Sequence, residues 1–279
     1  MARRKDLDPA TSSRALVGEE LRHARERKGL SQTALGQLLF VSGSYIGQME
    51  AGIRRILPTM GPQLDTELGT GDFFTRHSKA LAKSKYPDHF AEAVEAEAEA
   101  TEIREYAPTL IPGLLQTKEY AEAVFRAYNP LGSEAEIDEA VALRLERAQI
   151  LDHPTTPLLW VILDEAALRR PVGGPAVMAK NLRHITELIR EHRIIVQVLP
   201  FAIGAHVSTD GSLKLMEFAD APPLSFVEAP DMGNLIDDPA TVTRHTLMFN
   251  LLAASALSPQ ESLALIESVA EDYAHVEQH

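Results

Sequence analysis

The segment LSQTALGQLLFVSGSYIGQMEAG, Leu30–Gly52, places the tightest constraint on what this chain can fold into. Leu35, Leu38 and Leu39 recur at helical spacing before a short break, and Ile46 and Met49 do so after it. Apolar residues three and four apart share one helix face. Ser31 and Ser42 precede the two runs, where a side-chain oxygen can accept a bond from the unpaired amides of a first turn. Two short helices around a tight turn cannot bury both apolar stripes against each other alone. Further stripes lie close by in the sequence: Leu16, Val17, Leu21 and Ala24 before the pair, then Met60, Leu64 and Leu68, then Phe73, Phe74, His77 and Leu81. Five helices are therefore expected within residues 1–85.

The remainder reads differently. AKSKYPDH reads as a hinge, with Pro87 opening the next element. A long Ala- and Glu-rich helix is expected from Pro87 to Tyr106, with Phe90, Val94, Ala98 and Thr101 inward. Thr117 is placed to cap a following helix, and another helix is expected from Glu134 to Leu151. PLLWVILDEAAL and RIIVQVLPF then carry β-branched runs around a helix from Pro175 to Glu191. GSLKLMEFADAPPLSFVEAPDMGNLIDD alternates apolar and polar residues between turn signals. Helices from Pro239 to Ala256 and Pro259 to His275 close the chain, the second with Ser258 as N-cap. The expected fold class is α+β, mostly α: a five-helix domain over residues 1–85, then a mixed helix and antiparallel-sheet domain over 86–279.

Charge separates the same two regions. The chain carries −13 overall, yet residues 1–85 hold 14 Lys and Arg against 9 Asp and Glu, while the rest holds 13 against 31. A basic front on an acidic body suits a protein whose first domain meets nucleic acid and whose second does not. With no cysteine, disulfides, thiolate ligands and cysteine nucleophiles are excluded. No run of about 18 apolar residues is present, so no membrane partner is expected and a cytoplasmic location is.

A helix pair joined by a tight turn can lay its second helix in the major groove while the first crosses the backbone. Ser42, Gly43, Ser44 and Tyr45 give that second helix a start that bases can approach, and Gln48 lies one turn further on. Gln32, Arg54 and Arg55 are placed to meet phosphates. These eight residues are the expected contacts to double-stranded DNA, and a homodimer is expected because paired half-sites double the contacts.

The segments LR..RERKGLSQ..L and VS.SYI...E.G resemble the helix-turn-helix domain of the XRE family of phage-repressor-like (lambda-repressor-like) regulators, over about Leu16 to Leu68. LIPGLLQTKEYA, LDEAALRRPVGGP, VQVLPF and ALSPQES resemble the long C-terminal domain of actinobacterial WhiJ-like regulators, some of them antitoxin-like. The resemblance implies a repressor whose second domain binds a small partner protein encoded nearby. The chain departs from the XRE pattern at Phe40, where the family has a turn Gly, and at Gly36 and Gly47, where it has Ala and Ser. A left-handed Phe costs about 1–2 kcal/mol and each helical Gly up to about 1 kcal/mol. The first domain is accordingly expected to be marginally stable.

Chemistry is thinly represented. Ten histidines are scattered without an HExxH pair, and RRPVGGP lacks the ending of a phosphate loop. Asp164 and Glu165 are adjacent, which on a strand sends them to opposite faces. No catalytic residue, metal site or cofactor is expected, and the chain is not read as an enzyme. Leu110, Ile111, Leu114 and Leu115 form an apolar loop around a Pro-Gly turn, which either docks into the domain's own core or forms a partner surface. LPFAIGAHVSTDGSL offers His206 as a polar contact beside a pocket, which leaves a small-molecule ligand as the alternative to a partner protein.

Overall fold

The computed structural model describes residues 13–276 except 53, 55, 58, 83–87, 210 and 230–231; the expected hinge at 83–87 and the Arg55 contact lie outside the described residues. The chain divides into two compact units, Met1–Asp88 and His89–His279.

The first unit contains α1 (Ser13–Arg27), α2 (Gln32–Leu38), α3 (Gly43–Glu50), α4 (Gly61–Leu68) and α5 (Phe73–Ala82). Val17, Leu21, Ala24, Leu35, Leu39, Ile46, Met49, Leu64, Leu68 and Phe74 form one core. Leu16 and Leu38, counted in the same sequence stripes, face outward instead. The two serine caps form: Ser31 Oγ accepts from Ala34 N at 3.0 Å and Ser42 Oγ from Tyr45 N at 3.1 Å.

The turn between α2 and α3 is strained where the sequence suggests. Phe40 has φ +57° and its ring is 92% exposed, so it takes the left-handed cost without a packing gain. Phe40→Gly is expected to stabilise this unit by about 1 kcal/mol, because relief of about 1–2 kcal/mol of strain outweighs the added chain entropy. Urea melts of the full chain measure it; a loss of stability would mean that the ring packs in solution. Gly36 is another matter. A Cβ there would lie 2.6 Å from Val41 O and 3.0 Å from the Ser42 carbonyl carbon, so only glycine lets the turn fold back onto α2. The helix-propensity cost read from the sequence is offset by this close approach.

Asp65, buried on α4, accepts from Thr70 Oγ1 at 2.6 Å, Phe74 N at 2.9 Å and Thr75 N at 2.8 Å, and so caps α5. Burial pushes its carboxyl up, but these hydrogen bonds more than offset that and hold it below the usual range. A depressed carboxylate contributes stability above its unfolded pKa of about 3.9 and loses it as pH falls through the folded value. The midpoint of this unit is expected to drop below about pH 4, and Asp65→Asn to flatten that dependence, in pH-resolved thermal melts.

The second unit follows the order α6 (Asp88–Glu99), β1 (Glu102–Ala107), α7 (Lys118–Tyr128), α8 (Glu134–Ala148), β2 (Leu158–Asp164), α9 (Glu165–Arg169), α10 (Pro175–Arg190), β3 (Ile194–Leu199), β4 (Leu213–Glu217), β5 (Leu224–Ala229), β6 (Met232–Ile236), α11 (Pro239–Ser255) and α12 (Pro259–Val276). One six-stranded sheet runs β3-β2-β1-β4-β5-β6. The fold class is α+β, mostly α, as the sequence indicates, but the sheet is mixed: β1, β2 and β3 pair in parallel, and only β4, β5 and β6 add antiparallel.

The long helix expected to Tyr106 ends at Glu99. Residues 102–107 instead form the central strand β1, between β2 and β4. Ile103 and Tyr106 are fully buried there, on opposite faces. One face packs on α6, α7, α10 and α12 through Ala93, Ile103, Tyr120, Met178, Leu182, Met216 and Ile266. The other packs on α11 through Tyr106, Ile162, Leu213, Leu215, Phe249 and Leu252. Thr117 takes the backbone shape of an N-cap but its hydroxyl makes no capping bond; its N–H donates to Asn181 Oδ1 at 2.7 Å. Ser258 does cap α12, exchanging bonds with Glu261.

Between α6, α8 and the sheet lies a buried ion cluster. Glu97 meets Arg147 Nε at 2.9 Å and Lys214 Nζ at 2.5 Å, and Lys214 also meets Glu105 at 3.1 Å. Burial pushes the Glu97 carboxyl up, but Lys214 and Arg147 more than offset it and hold it below the usual range. Arg144 donates to Gln116 Oε1 at 2.7 Å, and burial beside Arg147 pushes its pKa down to about 10.

Candidate nucleic-acid interface

α2 and α3 meet at close range because Gly43 faces Thr33: a Cβ at 43 would lie 3.0 Å from Thr33 Cα. Gly43 therefore closes the pair of helices, where the sequence suggested that it opened a path for bases. Ser42 is spent on the cap. Tyr45 is half-buried against the core, with Arg54 stacked over its ring at 5.1 Å. Ser44 is exposed, and Gln48 lies one turn further along the same helix. Arg54 Nε donates to Gln48 Oε1 at 2.7 Å, which holds the amide; among the described residues its nitrogen has no acceptor. Ser44, Gln48 and Arg54 thus make one polar patch, with Tyr45 as its floor.

Gln32, expected as a phosphate contact, is already engaged within the unit. Its Nε2 donates to Glu50 Oε2 at 2.7 Å. Glu50 in turn holds Arg25, through Nε at 2.5 Å and NH2 at 3.0 Å, and Arg25 NH1 donates to Leu30 O at 2.8 Å. Arg25 and Glu50 are buried at 6% and 1% exposure. The hydrogen bond to Glu50 is the largest factor raising the Arg25 pKa. This paired fork ties the end of α1, the start of α2 and the end of α3 together, and so fixes the angle at which α3 is presented. Sequence reasoning assigned neither residue a role; the signal was present in RERKGLSQ and in the E.G that closes α3.

The acidic unit offers two places. Ile111, Leu114 and Leu115 are buried in the core, so the Pro-Gly loop docks into its own domain, with only Leu110 exposed, at 37%. Three of the four loop residues are therefore removed from any partner surface. His206 sits on the loop that leads from β3 to β4. Its Nε2 is 3.2 Å from Tyr106 Oη, which donates to Asp164 Oδ2 at 3.2 Å. Asp164 ends β2 and caps α9 through Ala166 N, and Glu165 opens that helix, accepting from Phe201 N at 3.0 Å. The two carboxylates thus clamp the loop at either end. Burial, then Asp164, pushes the Tyr106 hydroxyl pKa up, so it stays protonated as a donor. Among the described residues no three His, Asp or Glu side chains gather as a metal site.

The second place is an open groove of about 390 Å³ between the β4–β5 turn and α11, lined by Pro222, Pro223, Pro239, Val242, Thr246 and Leu247 among others. Among the described residues no helix is long and apolar enough to cross a membrane.

A short helix, a tight turn and a second helix with an exposed polar face define a helix-turn-helix DNA-binding unit, and the comparisons agree. A helix-turn-helix domain model matches residues 16–71, and the match supports an XRE-like helix-turn-helix regulator. The family described as a domain of unknown function (DUF5753) matches residues 90–268, more than half of the chain, and the chain belongs to that family. No curated protein and no solved structure matches the chain.

Proposed function

We propose that the chain is a sequence-reading transcriptional repressor of the WhiJ-like, antitoxin-like type, acting as a homodimer on double-stranded DNA. In this reading α3 enters the major groove. Ser44 and Gln48 read base edges, and Arg54 orients Gln48 while its remaining N–H groups meet a phosphate. The observation that carries the reading is the patch of Ser44 and Gln48 on α3 with Arg54 just beyond it, on a helix whose pose is fixed by Arg25 and Glu50. The 90–268 domain receives a small partner protein and couples it to DNA occupancy.

The test is fluorescence anisotropy of the full chain on DNA from upstream of its own gene and on a shuffled control, at low and physiological salt. Tight binding to the upstream DNA that survives salt supports the reading. Equal binding to both that salt abolishes would reduce it to backbone charge. Gln48→Ala is expected to cost about 1–3 kcal/mol on the preferred site and to relax specificity at one base pair. Arg54→Ala should lose part of the same discrimination, and the double variant less than the sum, because one side chain holds the other. Additive losses in that cycle would mean that the two act independently.

A second reading rests on the groove beside α11. Its volume falls in the range of about 300–1,000 Å³ typical of small-molecule sites. A ligand-dependent rise in melting temperature without a copurifying protein would favour it over the protein partner.

A further inference from the structure

The two edges of the sheet are treated differently. At β3 the outer backbone is engaged at Val198: Leu257 N–H donates to Val198 O at 2.9 Å, and Ser262 Oγ accepts from Val198 N at 2.9 Å. At β6, Ser225–Ala229 of β5 pair with Met232–Ile236 on the inner side. Among the described residues no backbone hydrogen bond leaves the outer side of β6. Open edges are templates for another strand, and proteins blunt them with lysine, proline, bulges or covering elements. The strand sequence Met-Gly-Asn-Leu-Ile contains none of these side chains, and Met232 is 69% exposed.

We propose that β6 pairs antiparallel with β6 of a second copy of this chain, about a two-fold axis through Asn234 and normal to the sheet. The inference rests on the reading of a paired regulator and names the surface that pairs it. In that register Met232 of one copy faces Ile236 of the other, Gly233 faces Leu235, and Asn234 faces itself. Apolar meets apolar, small meets large, and no charged side chain lies within the paired segment.

The axis keeps the α11 side of both copies on one face of the joined sheet. Leu235 packs with Phe226 toward α6, so Met232, Asn234 and Ile236 fall on the α11 side. Ile236 runs into Asp237 and Pro239, which line the groove with Pro222, Pro223 and Leu247. Each copy therefore delivers its exposed Met232 beside the other's groove, where Leu247 stands 58% exposed. A pair of five-residue strands alone falls short of the roughly 1,200 Å² of a stable interface, and the groove contact supplies further apolar area.

Sedimentation velocity of the full chain without DNA, over a wide concentration range, tests this. Asn234 is exposed and its side chain makes no hydrogen bond to the described residues, so changing it leaves the fold intact, as circular dichroism would verify. Asn234→Lys puts two ammonium groups opposite each other on Cβ atoms about 5 Å apart, and Asn234→Glu does the same with carboxylates. The wild type is expected to dimerise, each variant to shift to monomer, and their mixture to regain a one-to-one dimer. A monomeric wild type, a dimer that neither variant weakens, or a mixture that stays monomeric would each overturn the proposal. Anisotropy on a single half-site with the same variants should be unchanged. If shuffled DNA binds as well while the mixture still regains its dimer, only the DNA reading fails.

Discussion

Glu50→Ala is expected to cost the N-terminal unit about 3–5 kcal/mol, since removing one partner of a buried pair leaves the Arg25 guanidinium with only a 3.5 Å carboxylate contact, to the exposed Glu26. Arg25 keeps its bond to Leu30 O but loses both contacts from its guanidinium to Glu50, and Gln32 loses its acceptor as well. A domain of this size has only about 5–15 kcal/mol of net stability, so the loss moves a large part of the population to the unfolded state. Urea melts followed by far-ultraviolet circular dichroism measure the loss. The consequence reaches function, because α3 loses the tie to α1 and α2 that sets its pose. Anisotropy should report a matching loss on specific DNA at temperatures where the unit is still folded. A variant with wild-type stability would show that the fork is solvent-screened and that α3 is held by the apolar core alone.

The second large effect is expected in the acidic unit. Glu97→Ala removes the one carboxylate shared by Arg147 and Lys214, and leaves Arg144, Arg147 and Lys214 together with Glu105 as the carboxylate still paired to Lys214. Breaking such a cluster costs about 3–5 kcal/mol. Glu97→Gln should recover part of it, because the amide oxygen still accepts from Lys214 although the charge is lost. The pH dependence follows from the sign of the shift: a depressed carboxylate stabilises above the unfolded pKa of about 4.3 and stops doing so as pH falls through the folded value. The wild type should therefore lose stability on acidification and the Gln variant lose less. The cluster joins α6, α8, β1 and β4, so its loss should also free the Pro-Gly loop. Gly113 packs against Arg147 and Arg144 so closely that a Cβ would lie 2.7 Å from Arg147 NH2. Faster amide exchange at Leu114 and Leu115 would report that release.

The N-terminal unit was legible in detail because its determinants are local. Stripes at three- and four-residue spacing identify α1 to α5, and serine caps fix where α2 and α3 begin. Phe40 at a left-handed turn position was legible only through the resemblance to the XRE pattern, which has Gly there. β1 was not, because TEIREYA continues the helical spacing of Phe90, Val94 and Ala98, and nothing local marks the switch. Its partners are Leu158–Leu163 and Leu213–Glu217, far along the chain, and only they make residues 102–107 a central strand. The parallel pairing of β1, β2 and β3 was hidden for the same reason: a β-branched run signals burial, not direction.

The interface shows the same division. Ser44, Gln48 and Arg54 could be nominated from spacing, as could Gln32, but the bond of its amide to a carboxylate eighteen positions away could not. Gly36 and Gly43 looked like helix weaknesses or open approaches, whereas each is filled by backbone or side chain from the opposing segment. By itself the sequence determined the helix-turn-helix order, the basic front and acidic body, and the absence of cysteine chemistry. These depend on residue type and on neighbours within a turn or two of chain. Only the tertiary structure decided which polar groups are already paired, which sheet edge is left open and where charge is buried. Those outcomes depend on contacts between segments far apart in sequence, whose free energy no local pattern encodes.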